Sequence, residues 1–308
     1  MSTARNLRPD PELPAPIKKA AEDGKLVLFV GAGASMLLGM PSWGGLASSA
    51  LNSLRDEGHI NFAELNQLQT LDPKKQLSIA RVIADDNGFD LNLAQHLNGR
   101  YDSKIYEYLN SIGAVYVTTN YDHELVPVIP DTDPDKLKES VKRISLPKNF
   151  NTALLKNPGT IIHLHGDMLT PESMIVTTSD YLQHYDHKNV ISFLAKLFEE
   201  YTVLFIGYGL EEAEILEHVL RRGRVRREQE GTRRYSLQGF FNSEQPLYEK
   251  LIDYYDKSFG VELVGFTRDN RDYAQLEKII KDWAEEIYVR PPPVTDDIAD
   301  MDRVLANE

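Results

Sequence analysis

The chain has 308 residues, of which 42% are hydrophobic, and this is enough to bury a substantial core. It contains no cysteine, which excludes disulfide bonds, a thiolate nucleophile and cysteine-ligated zinc. The formal net charge of -13 opposes contact with a phosphate backbone, so direct nucleic-acid binding is not expected. No apolar run has the length of a spanning helix and no signal-like segment is visible, so we expect a cytoplasmic protein without a membrane segment.

Short apolar runs rich in β-branched residues mark the predicted strands. They are LVLFV (26–30), AVYVTT (114–119), TIIHLH (160–165), MIVTT (174–178), TVLFIG (202–207), RYSLQGF (234–240) and VELVGF (261–266). Continuous apolar runs are typical of strands that are buried on both faces of a parallel sheet. Helical periodicity over residues 211–222 and 271–287 alternates with these strands. The pattern predicts an α/β protein with a Rossmann-like, doubly wound, mostly parallel sheet.

One interval departs from this alternation. Residues 42–112 contain several helical patterns and no convincing strand, which predicts a helical insert after the first strand. We expect residues 1–288 to form one domain that includes this insert. Residues 289–308 contain three consecutive prolines near their start (291–293) and are acidic, which indicates a flexible arm or a partner-binding tail.

A glycine-rich loop, Gly31-Ala32-Gly33-Ala34-Ser35, follows the first predicted strand directly. Glycine lets the backbone approach a pyrophosphate closely, and exposed amides can bind phosphate oxygens. The loop therefore indicates a nucleotide site. It lacks the third glycine of the full dinucleotide fingerprint, because position 36 is Met36, and no Gly-Lys-Ser/Thr sequence follows.

Three further motifs follow predicted strands. They are TTNYD (118–122), HLHGD (163–167) and GYG (207–209). The carboxyl ends of the strands of an open α/β sheet meet at one crevice. We therefore expect an amide, a carboxylate, an imidazole and two glycine turns to surround one ligand.

Each of these features also has an interpretation without a ligand. The glycine loop can be a tight turn that binds nothing. Asn120 and Asp122 can cap a following helix, since both residue types accept hydrogen bonds from free amides. His165 can be a core histidine with satisfied hydrogen bonds. The convergence of the motifs favours a functional site.

The order GAGAS, TTNYD, HLHG, GYG resembles the sirtuin family over residues 25–214, and specifically the sirtuin-like NAD hydrolases of bacterial antiphage defence. The resemblance implies that NAD is the substrate and that Asn120 and His165 are catalytic, with His165 as the base. It implies cofactor contacts from Gly31, Ala32, Gly33, Ser35, Asn120, Asp122, Gly207 and Tyr208, with the glycine loop at the pyrophosphate and Asn120 and Asp122 at the nicotinamide ribose.

Two departures from deacetylating sirtuins narrow what the resemblance implies. That group carries a four-cysteine zinc module, which this chain cannot form, so we expect neither zinc nor protein deacylation. The segment GMPSW (39–43) resembles the defence branch. The implied reaction is hydrolysis of NAD to nicotinamide and ADP-ribose. The implied role is NAD depletion during abortive infection, by a homo-oligomer that is activated by a HerA-type ATPase or a short prokaryotic Argonaute.

The predicted mechanism uses three side chains. Asn120 would orient the ribose and an attacking water, while Asp122 would bind the ribose or orient its neighbours. His165, with an ordinary pKa, would accept a proton.

Two other functions stay open at this point. His163, His165 and Asp167 alternate along a strand, which would suit a metal-dependent hydrolase assisted by His123. A non-catalytic sensor of NAD or a derivative would need the nucleotide site alone.

Three other features lie outside the predicted site. His184 and His187 are interpreted as surface residues at a helix start. Seven arginines crowd the fourteen residues from Arg221 to Arg234. They indicate either a solvated helix end or a docking surface for an acidic partner, another subunit or nucleic acid.

Overall fold

The fold is described from a computed structural model over residues 6–128, 141–210 and 233–289. Its seven strands form one sheet in the order β3-β4-β2-β1-β5-β6-β7, and every neighbouring pair is parallel. The strands are β1 (Leu26–Val30), β2 (Val115–Thr118), β3 (Arg143–Ile144), β4 (Ile161–His163), β5 (Thr202–Ile206), β6 (Arg234–Phe240) and β7 (Val261–Thr267). The predicted Rossmann-like parallel sheet is confirmed.

The central strands are apolar on both faces because helices cover both sides of the sheet. In β1, Leu28 belongs to the core on one face and Phe29 to the core on the other. Leu28 lies in register with Tyr116 on β2 and Leu204 on β5, which share its face. Side chains alternate along a strand, so the continuous run LVLFV supplies two cores at once.

Ten helices accompany the sheet within the described residues. They are α1 (Ala15–Glu22), α2 (Ala32–Leu37), α3 (Trp43–Asp56), α4 (Phe62–Leu68), α5 (Pro73–Asp86), α6 (Ile105–Ile112), α7 (Thr178–Asp186), α8 (Lys188–Glu200), α9 (Gln245–Phe259) and α10 (Ala274–Glu286). Apolar residues of α1, α6 and α10 pack with Leu28 on one face of the sheet. Apolar residues of α7 and α8 pack with Phe29 on the other.

The helical insert is present between β1 and β2. Helices α3 to α6 occupy it, and no strand occurs in residues 42–112, all of which are described. The Ser42 side chain accepts a hydrogen bond from the Gly45 amide and so caps the start of α3. Helices α3, α4 and α5 share a core of their own, which includes Leu51, Leu65 and Leu77. Helices α3 to α5 therefore pack as a unit beside the sheet, while α6 packs against the sheet itself.

The strand prediction was wrong in one place. MIVTT (174–178) is not a strand: residues 171–173 form a 3-10 turn and α7 begins at Thr178. A single hydrogen bond, from the Ile175 amide to the His165 carbonyl, joins the segment to the residues after β4. One hydrogen bond does not make a ladder, and β-branched residues alone do not specify a strand. TIIHLH is a strand over Ile161–His163 alone, and the short β3 was not predicted.

Several predictions lie outside the described residues. They concern the helix at 211–222, the tail from residue 290 and the arginines from Arg221 to Arg227. Arg234 is described and belongs to β6, not to a helix end. Its guanidinium is half-buried and donates a hydrogen bond to the Phe198 carbonyl at 2.7 Å. This arginine therefore has a structural contact within the fold.

Candidate functional site

A cavity of about 570 Å³ opens at the carboxyl ends of the central strands. The loops after β1, β2, β4 and β5 form one wall, and residues of the helical insert form the other. The lining residues are Ala32, Ser35, Met40, Pro41, Ser42, Trp43, Gly44, Leu46, Asp72, Pro73, Lys74, Leu97, Thr119, Asn120, Tyr121, Asp122, His165, Tyr181, Gly207, Tyr208 and Gly209. All four predicted motifs therefore contribute to one cavity, as expected for the switch region of a doubly wound sheet.

The two glycine turns touch each other across the sheet. The Gly33 amide donates a hydrogen bond to the Gly207 carbonyl at 2.8 Å. A Cβ atom on Gly31 would lie 2.7 Å from the Gly207 oxygen, and one on Gly33 would lie 2.8 Å from the Gly207 Cα. Gly207 itself has φ +63, a conformation that side chains disfavour. These glycines are thus required by the contact between the turns.

This contact limits which amides can reach a ligand. The Gly31 amide donates to the Ile206 carbonyl at 2.9 Å, and the Gly33 amide is bound to Gly207. Ala32 lines the cavity at the start of α2, and its amide has no hydrogen bond within the described ranges. The first amides of a helix lack intrahelical partners. Ala32 is therefore the residue of this loop that offers a free donor at the cavity.

Asn120 is held in a single orientation at the end of β2. Its backbone amide donates to Thr118 Oγ1 at 3.0 Å, and that hydroxyl donates to the Val30 carbonyl at 2.9 Å. Its side-chain Nδ2 lies 3.0 Å from the Gly31 carbonyl oxygen. A carbonyl oxygen only accepts, so the atom facing it is the amide nitrogen. The other side-chain atom, Oδ1, accepts no hydrogen bond within the described part of the chain.

Ser35 and Asp122 join Asn120 in a buried network. The Ser35 hydroxyl donates to Asp122 Oδ2 at 2.6 Å and accepts from Asn120 Nδ2 at 2.8 Å. Tyr106, which comes from helix α6 of the insert, lies 2.9 Å from Ser35 Oγ and 3.2 Å from Asn120 Nδ2. Burial raises the pKa of Asp122, while hydrogen bonds from Ser35 and the Glu124 amide oppose that rise. No helix begins within residues 121–128, so Asp122 is not a helix cap there.

His165 lies between the cavity and a group of aromatic side chains. Its Nε2 is 2.8 Å from the Tyr185 hydroxyl, and its Nδ1 is 3.5 Å from the Tyr181 hydroxyl. The expectation of an ordinary pKa was wrong. Burial places the pKa of His165 well below its usual value, and nearby His184 and Lys74 act in the same direction. The ring is therefore neutral at neutral pH and retains a lone pair.

The other histidines do not assemble a metal site with His165. His163 Nδ1 faces the Asn120 carbonyl at 3.1 Å, and His123 Nε2 pairs with Asp167 Oδ1 at 3.0 Å. Burial lowers the pKa of His163 to about 4. No group of three metal-binding side chains occurs in the part of the chain that the structure describes. The geometry thus gives no support to the metal-hydrolase interpretation.

The sequence had suggested that His184 is a surface residue, and this prediction was wrong. It is 3% exposed and packs edge-on against Phe150, and neither ring nitrogen has a hydrogen-bond partner within the described residues. Burial lowers its pKa to about 4. His187 does mark a helix start, because its Nδ1 accepts a hydrogen bond from the Asn189 amide at the beginning of α8.

Sequence reasoning missed four residues of this site: Tyr181 and Lys74 line the cavity, while Tyr185 and Tyr106 contact the lining residues His165 and Asn120. Tyr181 and Tyr185 are four apart on α7, a spacing that places both on one helix face and offered a usable signal. Tyr106 had no signal beyond its place in an amphipathic helix. Lys74 is the one cationic side chain among the described lining residues, and its Nζ lies 3.9 Å from the centre of the Tyr181 ring. Only the packing of the insert brings Lys74 and Tyr106 here.

These features define a doubly wound α/β protein whose polar crevice lies at the carboxyl ends of its central strands, the arrangement typical of nucleotide-binding proteins. Residues 114–260 match the model of the family described as the SIR2-like domain. This region of the chain is therefore similar to the SIR2-like family, in agreement with the resemblance that the order of the motifs indicated. The match begins at β2, and the hydrogen bond of Asn120 to Gly31 connects the matched region to the glycine loop before it.

Two relatives are similar over part of their length. NAD(+) hydrolase ThsA of Enterococcus faecium is 26% identical over 214 residues, which are 66% of this chain and 40% of that protein. Defense-associated sirtuin 2 of Bacillus subtilis is 26% identical over 208 residues, which are 65% of this chain and 19% of that protein. The chain thus matches less than half the length of either relative. In the described ranges, no helix has both the length and the apolar composition needed to cross a membrane.

Proposed function

We propose that this protein hydrolyses NAD to nicotinamide and ADP-ribose in the cavity at the strand ends. The observation that carries the proposal is the convergence of four motifs on one cavity that Asn120 and His165 both line. A relative that matches 66% of the chain is named an NAD(+) hydrolase, which supports NAD as the substrate. Hydrolysis is favoured over protein deacylation because the chain has no cysteine for a zinc module.

The reaction consumes NAD and one water and releases nicotinamide, ADP-ribose and a proton. The bond from the ribose to the pyridinium nitrogen breaks, and nicotinamide leaves as a neutral base. The ribose passes through an oxocarbenium-like state, so the enzyme gains most by fixing the ribose and the water. A water that binds Asn120 Oδ1 as a donor would direct its oxygen toward the anomeric carbon.

His165 is the proposed base. Its lowered pKa keeps the imidazole neutral, so it can accept a proton from the water or from a ribose hydroxyl. Its hydrogen bond to Tyr185 fixes the ring, and Tyr181 lies beside it in the cavity lining. The oxocarbenium-like state is cationic, and the buried carboxyl group of Asp122 near Asn120 would stabilise it when ionised.

The remaining cofactor contacts follow from the free groups of the cavity. The amide of Ala32, at the start of α2, suits one phosphate of the pyrophosphate. Gly207 and Tyr208 line the cavity next to this loop, where they would contact a ribose or phosphate. Gly31 and Gly33 would act indirectly, by allowing the close contact between the two turns. Lys74 supplies a positive charge that favours an anionic ligand.

The biological role is also part of the proposal. One relative is named a defence-associated sirtuin, which supports a role in antiphage defence through NAD depletion. We extend this to a catalytic domain over residues 1–288, followed by a tail, and to activation by a partner protein. Homo-oligomerisation and a cytoplasmic location belong to the same proposal.

The direct test is to incubate the purified chain with NAD and to quantify nicotinamide and ADP-ribose. We expect the two products in equal amounts, no deacetylation of an acetylated peptide, and full activity after exhaustive chelation. His165→Ala should reduce release about 10²- to 10⁴-fold, the usual contribution of a general base. The matched control is His59→Ala, a histidine of the insert outside the cavity lining.

Each contrary result identifies a different failure. Loss of activity on chelation would restore the metal-hydrolase interpretation. Tight NAD binding without nicotinamide release, both alone and with the cognate partner, would indicate a sensor instead of an enzyme. Equal release by wild type and His165→Ala would show that the base is assigned to the wrong residue.

A further inference from the structure

Tyr106 connects the helical insert to the proposed catalytic amide. It lies on α6, the last helix of the insert, and its side chain is 5% exposed. Its hydroxyl is 2.9 Å from Ser35 Oγ, 3.2 Å from Asn120 Nδ2 and 3.4 Å from Asp122 Oδ2. One tyrosine hydroxyl from the insert thus contacts three predicted site residues that come from the β1 and β2 loops.

The donors and acceptors of this cluster are consistent in one arrangement. Asn120 Nδ2 carries two hydrogens, one directed at the Gly31 carbonyl and the other shared between Ser35 Oγ and the Tyr106 hydroxyl. The Ser35 hydroxyl donates to Asp122, and the Tyr106 hydroxyl donates to Ser35 or Asp122. Every hydrogen of the cluster then has an acceptor within it.

The arrangement leaves Asn120 Oδ1 as the atom that can act on a ligand. Both hydrogens of Nδ2 are bound inward, so the planar amide group cannot rotate without losing hydrogen bonds in a buried site. Asn120 lines the cavity, where Oδ1 can accept from a water or a ribose hydroxyl. Tyr106 supplies one of the three acceptors that hold Nδ2 in place.

Tyr106 is suited to hold this position over a wide pH range. Burial raises the pKa of Tyr106 well above its ordinary value, and the neighbouring Asp122 carboxylate raises it further. The hydroxyl therefore stays protonated and keeps its role as both donor and acceptor. Tyr106 belongs to the same apolar core as Ile105 and Leu109, on one face of the sheet, and this burial anchors its side chain.

We infer that Tyr106 is a positioning residue, which fixes the Asn120 amide so that Oδ1 orients the attacking water. The inference rests on the proposed function for the identity of the reaction. It assigns a specific task to the insert: one of its helices determines the orientation of a catalytic group on the sheet. Tyr106 does not line the cavity, so it acts through Asn120 and not on the substrate.

The test compares Tyr106→Phe with Tyr116→Phe. Tyr116 is a matched control, because it is also a buried tyrosine whose hydroxyl bonds to α6, at the Leu109 carbonyl, but it does not touch the site. We expect Tyr106→Phe to lower kcat about ten- to a hundredfold, since a misplaced catalytic group can cost about that much. KM should change by less than about threefold, because ground-state binding is not removed. Tyr116→Phe should keep the wild-type kcat.

A second measurement separates positioning from a general loss of structure. In an Asn120→Ala background, Tyr106→Phe should cause no further loss of rate under single-turnover conditions, because residues that act as a unit are not additive. The Asn120 side-chain amide signal in a ¹⁵N NMR spectrum should also shift in Tyr106→Phe and stay in place in Tyr116→Phe. This second readout requires no turnover.

The outcomes distinguish the two proposals. If wild type releases no nicotinamide, either alone or with its cognate partner, the proposed function fails, and Tyr106 has no catalytic group to position. If wild type is active and Tyr106→Phe behaves like Tyr116→Phe in rate and in the amide signal, the inference on Tyr106 alone is overturned. An additive loss in the double variant would also overturn it, because Tyr106 would then act independently of Asn120.

Discussion

The two walls of the cavity differ in how their residues are held. On the sheet side, backbone geometry fixes the site: the Gly33 amide bonds to Gly207, and Thr118 bonds to Val30 across neighbouring strands. On the insert side, Lys74 lines the cavity and Tyr106 reaches the Asn120 amide, and the helices that carry them are held by apolar packing. The sheet therefore supplies rigid positions, while the insert supplies contacts that depend on how its helices pack.

The sheet and the insert therefore have different roles at the site. The sheet side holds the proposed catalytic pair, Asn120 and His165, at the ends of adjacent strands. The insert side closes the cavity. Tyr106 contacts Asn120 directly, and Lys74 contacts the ring of Tyr181, which lies beside His165. Substitutions on the sheet side should therefore disturb folding and chemistry together, whereas insert substitutions should disturb chemistry or binding with less effect on folding.

The largest difference in stability between the two walls should appear at two glycines that have the same φ angle. Gly207 and Gly88, which lies in the insert, both have φ +63. An added Cβ would lie 2.6 Å from the Ala34 nitrogen at Gly207 and would meet nothing within 4 Å at Gly88. Gly88→Ala should lower the free energy of unfolding by about 1 to 2 kcal/mol, the cost of the left-handed conformation. Gly207→Ala should lower it by about 2 to 5 kcal/mol, since overpacking adds to that cost.

Chemical denaturation of the two variants measures this difference directly. Equal destabilisation would show that the contact between the glycine turns is not the constraint that the structure indicates. The sheet wall would then be no more rigid than the insert at these two positions.

The second prediction concerns how the free energy of unfolding depends on pH through the buried residue His184. The pKa of His184 is about 4 in the fold, below the ordinary value of 6.5. The unfolded chain therefore binds an extra proton between these values, and the fold loses stability as pH falls from about 6.5 toward 4. His184→Leu should reduce the slope of unfolding free energy against pH in this window by about 1.4 kcal/mol per pH unit. An unchanged slope would mean that His184 is not buried as a neutral ring.

The smallest expected effect is on the insert wall. Lys74→Gln should weaken the binding of ADP-ribose about two- to fivefold, because a partly exposed charge contributes about 0.2 to 1 kcal/mol. The loss should shrink at high salt. Lys250→Gln is the matched control, since Lys250 is an exposed lysine of α9 that does not line the cavity. Calorimetric titration of ADP-ribose measures both variants, and equal binding by the two would remove Lys74 from the ligand site.

The sequence predicted the sheet wall well because strand ends are fixed by topology. Buried parallel strands appear in the sequence as apolar runs, and the loops that follow them meet at one edge of the sheet. The proximity of Asn120, His165 and Gly207 could therefore be predicted from the sequence alone. The pattern failed at MIVTT, where β-branched residues had no neighbouring strand to pair with. The burial of His184 was missed because helix phase alone does not show which face a neighbouring helix covers.

The sequence could not predict the insert wall. The helical character of residues 42–112 was visible in their periodicity, and α3 to α6 occupy that interval. The contacts of Lys74 and Tyr106 depend on how the helices of the insert pack against the sheet, which periodicity does not determine. The amides of Gly31 and Gly33 were expected at a phosphate, but their partners on the β5 turn are long-range and left no local pattern.

The most direct test of the central claim measures binding and cleavage on the same proteins. NAD affinity and single-turnover nicotinamide release are determined for wild type, Asn120→Ala and His165→Ala. We expect all three proteins to bind NAD with dissociation constants within about tenfold of each other, while both variants lose nicotinamide release about 10²-fold or more. Wild-type rates of release in either variant, or binding without release in wild type, would contradict the claim that this cavity is where NAD is cleaved.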